Sequence, residues 1–305
     1  MELPFVTLDV FTETRFRGNP VAIVTIPASG PKPTQQQKQT VAREFNLSET
    51  VFLHDVPDPA ADSRRHIDIF LPFDEIPFAG HPTIGTAVAL LGQGVTTLVT
   101  KAGPIALSQL GPRLVQATIP HDVHLHAKRP RDLSLSDAQL PAVAQIRELE
   151  LNAPVFSIVN GVAFILIELP SLELLAQVEH ISTPTPVDQI LDDGWRKGFL
   201  GRYYYVRTDS RRHDNDQSVV SLRTRMMEHT FEDPATGSAA CCLSSFLSTV
   251  RHEQDTPTRR YNITQGVEMG KESNIVVDVD MQDSIIHTVK LAGTAVQVMR
   301  GHILV

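Results

Sequence analysis

The chain has 305 residues, 42% hydrophobic and 20% charged, with a formal net charge of -8. That balance argues against a nucleic-acid or anionic-membrane partner, because phosphate contacts need a clustered basic face, and the basic runs Lys128-Arg129-Pro130-Arg131, Arg211-Arg212 and Arg259-Arg260 are short. No stretch approaches the roughly 18 apolar residues of a membrane span, and Met1 to Asp9 lacks the basic and apolar regions of a signal peptide, so a cytoplasmic address is expected.

From the start, Val6 to Val10 and Val21 to Ile26 read as two strands, with Gly18-Asn19-Pro20 at the tip of the loop between them. Asn19 is either a turn residue or an amide presented to a ligand. Thr34 caps a helix through Gln35 to Phe45, whose apolar face is Val41, Ala42 and Phe45. The turn Asn46-Leu47-Ser48-Glu49 then enters a strand at Thr50-Val51-Phe52-Leu53. Glu49 has two readings: an exposed or salt-bridged carboxylate, or one desolvated at the mouth of an apolar strand, with its pKa raised toward the range useful for proton transfer.

His66 to Leu71 alternates as a strand and leads into Pro77-Phe78-Ala79-Gly80-His81-Pro82, followed by an almost wholly apolar helix. Pro82 suits the first helical position, and Gly80 allows close backbone approach to a ligand. Three short strands follow, Thr96 to Val99, Ile105 to Leu107 and Leu114 to Ile119, able to wrap that helix. The composition changes at Pro120 to Pro130, which places the domain crossing there: residues 1–122 form the first domain, optionally completed by the last C-terminal strand, and 123–305 the second. His121, His124 and His126 in this crossing have spacing compatible with ligands on alternate strand positions, but a metal site wants a supporting carboxylate and an enclosed pocket, and this stretch is flanked by charge and proline, so no metal is expected.

The second half repeats the grammar. A helix is possible from Ser134 or Ser136, strands Val155 to Val159 and Phe164 to Leu169 flank Asn160-Gly161, and Leu172 to Val178 suggests another helix. Tyr203-Tyr204-Tyr205 lies in a strand, where the rings either pack the sheet or stack a planar substrate. The polar loop Glu232-Asp233-Pro234-Ala235-Thr236-Gly237-Ser238 opens a second apolar helix, giving a second helix start able to hold an anion. The two cysteines, Cys241 and Cys242, are neighbours inside that helix, which excludes a disulfide framework and a four-ligand zinc site. Closing strands run through Tyr261 to Gln265, Ile275 to Val279 and Thr288 to Met299, with Gly270 and Gly293 at turns.

Five stretches in order carry a family resemblance: Phe-Arg-Gly-Asn-Pro (16–20), Asn-Leu-Ser-Glu-Thr (46–50), Pro-Phe-Ala-Gly-His-Pro-Thr-Ile-Gly (77–85), Glu-Asp-Pro-Ala-Thr-Gly-Ser-Ala (232–239) and Gln-Gly-Val-Glu-Met-Gly (265–270). Together they resemble the phenazine-biosynthesis PhzF-like proteins. The resemblance implies an α+β, diaminopimelate epimerase-like fold: two similar halves, each with a sheet or barrel around a central helix, and a site in the cleft between. It also implies Glu49 as the proton-transfer residue, with His81, Asp233 and Ser238 completing the polar site and Asn19, Gly80 and Gly237 binding substrate. Where the family usually continues Arg-Pro-Ser, this chain has Lys271-Glu272-Ser273, and a lysine cannot reproduce an arginine's forked contact.

The expected function is a cofactor-free isomerase that moves a proton on a small unsaturated, carboxylate-bearing substrate, with a homodimer suggested by relatives of the fold. A non-catalytic ligand- or partner-binding protein of the same fold is the alternative. A thiol-dependent epimerase is disfavoured, because Cys241 and Cys242 lie inside the helix rather than at its mouth.

Overall fold

The computed structural model describes residues 1–212, 218–228, 231–250 and 256–305. It divides into two compact units, Met1–Ile119 with Leu291–Val305, and Pro120–Lys290. The side chains of Arg211 and Arg212 lie outside the described residues.

The first unit contains β1 (Glu2–Val10), β2 (Asn19–Ile26), α1 (Gln35–Phe45), β3 (Thr50–His54), β4 (Arg64–Phe70), β5 (Glu75–Ile76), α2 (Gly80–Ala89), β6 (Thr97–Thr100), β7 (Gly103–Gln109) and β8 (Val115–Ile119). Strand β2 is antiparallel to β1 and parallel to β3, β3 is antiparallel to β4, and β4 is parallel to β6. From β6 the chain meanders antiparallel through β7 to β8. The last strand of the chain, Ala295–Leu304, returns to lie antiparallel along the whole of β1.

β2 and β3 are buried along nearly their whole length, which is why they read as apolar runs, whereas β4 alternates buried and more exposed residues. On one side α1 covers Val24, Phe52 and Phe70 with Val41 and Ala42. α2 contacts β1, β2, β3, β8 and the closing strand, and its residues Gly80 to Ala87 are all buried. Close packing there requires a glycine: a Cβ on Gly85 would stand 2.8 Å from Val10 Cγ2 and 2.9 Å from Val21 Cγ1. Thr83 and Thr86 tolerate burial because each hydroxyl donates to a carbonyl one turn back, on Ala79 and Pro82.

The second unit contains β9 (His124–Leu125), α3 (Ala144–Leu151), β10 (Val155–Val159), β11 (Val162–Glu168), α4 (Leu172–Leu175), α5 (Val187–Ile190), β12 (Phe199–Arg212), β13 (Ser218–Met227), β14 (Glu232–Asp233), α6 (Gly237–Thr249), β15 (Thr258–Gln265), β16 (Ser273–Gln282) and most of β17 (Ile285–Gly293), whose last three residues belong to the first unit. Its pairing follows the same sequence of senses: β10 antiparallel to β11, β11 parallel to β12, β12 antiparallel to β13, β13 parallel to β15, and β15 antiparallel to β16. α6 occupies the place of α2, contacting β10, β11, β15 and β16, with Ala239 to Ser248 buried. On the outside, α3, α4 and α5 cover Ile165, Ile167 and Val206.

Local differences from the sequence expectations have simple causes. Asp137–Gln139 forms one 3-10 turn, not a helix, closed by Gln139 reaching back to the Ser136 N–H. Gly293 is the last residue of β17 and is a glycine where the Phe11 ring leaves no room for a Cβ, and α2 begins at Gly80, so Pro82 is its third residue rather than its first. Among the described residues no helix is long and apolar enough to cross a membrane.

Candidate active site

In the first unit, Asn46 ends α1 in the left-handed region, φ 50°, and turns the chain through Leu47 and Ser48 to the start of β3. Glu49 is therefore delivered to the edge of a buried strand, its side chain 15% exposed. Its Oε2 lies 3.5 Å from Nδ1 of the buried His81, in the first turn of α2, and has no hydrogen-bond partner among the described residues. Burial pushes the Glu49 carboxyl up from 4.5 to about 7, partly opposed by a hydrogen bond from Ser48. The Ser48 hydroxyl is also 3.5 Å from Oδ1 of the buried Asn19. Asn19 begins β2 directly after Gly18, whose φ of +67° and close approach to Val10 O demand glycine. The unit thus gathers Asn19, Glu49, Gly80 and His81 around one carboxyl able to change protonation near neutrality.

In the second unit, β14 pairs with the end of β13 and holds Asp233 opposite Met226. The Asp233 side chain is buried, and its Oδ2 accepts a 2.6 Å hydrogen bond from the Thr236 hydroxyl. Gly237 and the partly exposed Ser238 form the first turn of α6, which has no side-chain cap. Ala79, before α2, gives no side-chain cap either. Both buried helices therefore begin with backbone N–H groups that no N-cap side chain occupies, a setting that favours negative charge.

Three contributors to this second group escaped the sequence reading: Thr236, Gln265 and Tyr203. Gln265 stands in a motif already singled out, but a strand-end glutamine gives no local sign of what its amide will touch. Its Nε2 donates to Asp233 O at 2.8 Å and to Thr236 Oγ1 at 3.0 Å. The three tyrosines pack the sheet: each is at most 1% exposed, with its hydroxyl bonded to protein, Tyr203 to Thr224 and Gln265, Tyr204 to Glu150 and Tyr205 to Glu168.

The carboxylate that joins the histidine stretch comes from far along the chain, Asp192. His124, His126 and Asp192 bring potential ligand atoms within 4.8 Å of one another. His126 is nevertheless committed: Nδ1 accepts the Asp192 N–H at 3.1 Å and Nε2 lies 2.9 Å from Ser157 Oγ. A ring that accepts at one nitrogen carries its proton on the other, so neither lone pair faces an ion. His124 pairs with Asp192 at 2.8 Å and stacks on Trp195, a packing arrangement that leaves too few ligands for a metal. Cys241 and Cys242 are wholly buried, and burial pushes both thiols upward, away from the reactive thiolate.

Residues 8–301 match the family model PhzC-PhzF, described as phenazine biosynthesis-like protein. An uncharacterized isomerase of Mesorhizobium japonicum is 31% identical, covering 99% of this chain and 98% of its own. The trans-2,3-dihydro-3-hydroxyanthranilate isomerase of Pseudomonas fluorescens is 30% identical, with coverage of 98% and 99%. Among solved structures, a PhzF-family protein of Bacillus anthracis superposes with a TM-score of 0.72 at 21% identity, covering 100% of both chains. A hydroxyproline epimerase of Agrobacterium vitis gives 0.57 at 13% identity, covering 99% of this chain and 92% of its own. These likenesses show the fold to be α+β and of the epimerase-like type.

Proposed function

The chain belongs to the phenazine biosynthesis-like PhzC-PhzF family and is an isomerase, and from that premise we propose that Glu49 is its proton-transfer residue, acting on a small unsaturated carboxylic acid. The observation that carries this reading is the state of Glu49: a nearly buried carboxyl, raised to about 7, with Oε2 unbonded and His81 at 3.5 Å. A base works best when its pKa lies near the operating pH, and an oxygen that no hydrogen bond among the described residues engages can take up a proton. Glu49 takes a proton from an acidic carbon and returns it at another, so the substrate is isomerised with no net gain or loss of atoms. Asn19, Gly80 and Gly237 bind the polar groups of the substrate, while His81, Asp233 and Ser238 serve the same reaction by holding the charge that builds up as the proton leaves. The family motifs support this grouping.

The first substrate to test is trans-2,3-dihydro-3-hydroxyanthranilate, because relatives about 30% identical over nearly the whole chain are named for it. The decisive variant is Glu49→Gln, which keeps the shape and removes the transferable proton. It is expected to abolish both isomerisation and solvent-deuterium incorporation while leaving ligand binding intact. Full activity in that variant would end the assignment.

A further inference from the structure

Gln265 ends β15 with no exposed surface, and after it Gly266 turns at φ +76°, so close to the polar loop that a Cβ there would stand 2.5 Å from Pro234 O. All the hydrogen-bonding capacity of the Gln265 amide is used. Its two N–H groups go to Asp233 O and Thr236 Oγ1, while its Oε1 accepts from the Thr236 backbone N–H at 3.3 Å and the Tyr203 hydroxyl at 3.1 Å. The amide can stand only this way round, since exchanging O and N would set an NH2 against the Thr236 N–H and an oxygen against a carbonyl. Because Thr236 Oγ1 accepts from Gln265, its own proton must point elsewhere, and it points at Asp233 Oδ2. A threonine before a helix ordinarily accepts from the first-turn N–H groups. Here the hydroxyl is occupied, and α6 begins without a side-chain cap.

We propose that Thr236 and Gln265 are positioning residues: Gln265 sets the direction of the Thr236 hydroxyl, which holds the Asp233 carboxylate in its working orientation and leaves the α6 mouth uncapped for substrate. The proposal rests on the reading of Asp233 as part of the reaction site. Neither residue touches substrate; each acts through Asp233 and the first turn of α6.

The test is Thr236→Val, which keeps the branched shape and loses the hydroxyl, beside Thr236→Ser, which restores it. Crystal structures of both variants are compared with the parent, and turnover is measured with trans-2,3-dihydro-3-hydroxyanthranilate as the probe. In the valine variant the Asp233 carboxylate should rotate from its place and kcat should fall about 30-fold, the worth of one hydrogen bond to a charged group, while KM changes less than about threefold. Serine should recover the orientation and bring kcat to within about threefold of the parent, which a purely structural role would not require. An unmoved carboxylate, an unchanged kcat, or a serine variant as impaired as valine overturns the proposal. Turnover surviving Glu49→Gln sinks the proton-transfer reading whatever Thr236 does. An inactive Glu49→Gln beside an unimpaired Thr236→Val sinks only the positioning role. If the parent leaves the probe untouched, the substrate reading fails and the position of Asp233 decides the proposal.

Discussion

In the first unit β5 passes the chain to α2 through Pro77-Phe78-Ala79, and in the second β14 passes it to α6 through Pro234-Ala235-Thr236. Each short strand pairs with its neighbour by two residues, and each helix begins with a glycine and no side-chain cap. The polar chemistry at the two mouths is opposite. At the first, Glu49 is desolvated, its Oε2 makes no hydrogen bond among the described residues, and burial raises its carboxyl to about 7. At the second, Asp233 is fastened by Thr236, and Thr236 by Gln265. The difference teaches that two helix mouths built on the same backbone motif can stand beside carboxyls of opposite character, one desolvated by its surroundings and one fastened by neighbouring side chains, according to what the rest of each unit packs there.

The strongest way to break this contrast is to remove the mobile proton. Glu49→Gln should lower turnover by about a thousandfold or more, in the range general acid–base groups contribute, and parent kcat/KM should rise with pH through about 7 as Glu49 ionises. A pH-independent parent would place the essential base elsewhere. At the fastened mouth the cost should fall on folding. Gln265→Leu removes the amide that bonds the Asp233 carbonyl, the Thr236 hydroxyl and the Thr236 N–H in a buried setting, while the Tyr203 hydroxyl keeps Thr224, and urea unfolding should show a loss of about 3 kcal/mol. A loss under about 0.5 kcal/mol would mean the network is incidental.

The same contrast makes a prediction about stability at the first mouth. The unfolded chain releases the Glu49 proton near pH 4.5 and the folded chain near 7, so between those values the folded state binds more protons and loses stability as pH rises. Glu49→Gln removes that loss and should be more stable than the parent by roughly 1–3 kcal/mol at pH 8, but close to it at pH 4.5. Parallel stability curves for the two proteins would contradict the burial argument. The smallest effect should come from the cysteines: alkylating reagent applied to the folded enzyme should leave its rate unchanged, since both thiols are buried and protonated.

Much of this was legible locally. Thr34 caps α1 as its position suggested, in a reciprocal arrangement with Gln37, because capping depends on residues three apart. The apolar helices after Gly80 and Gly237 were legible for a similar reason: a segment hydrophobic on every side can only be buried. Ordered motifs disclosed the family, and with it the reason to propose Glu49 as the proton-transfer residue.

By itself, then, the sequence determined what depends on neighbours along the chain: helix caps, apolar runs, glycine turns and the family motifs. Tertiary structure alone decided what depends on partners far apart in the chain. It brought Asp192 to His124 and His126, set Gln265 under Asp233 and Thr236, and laid Ala295–Leu304 beside β1. It also chose between two readings that local pattern left open for Glu49, because desolvation is a property of everything packed around a carboxyl and no window of sequence contains that information.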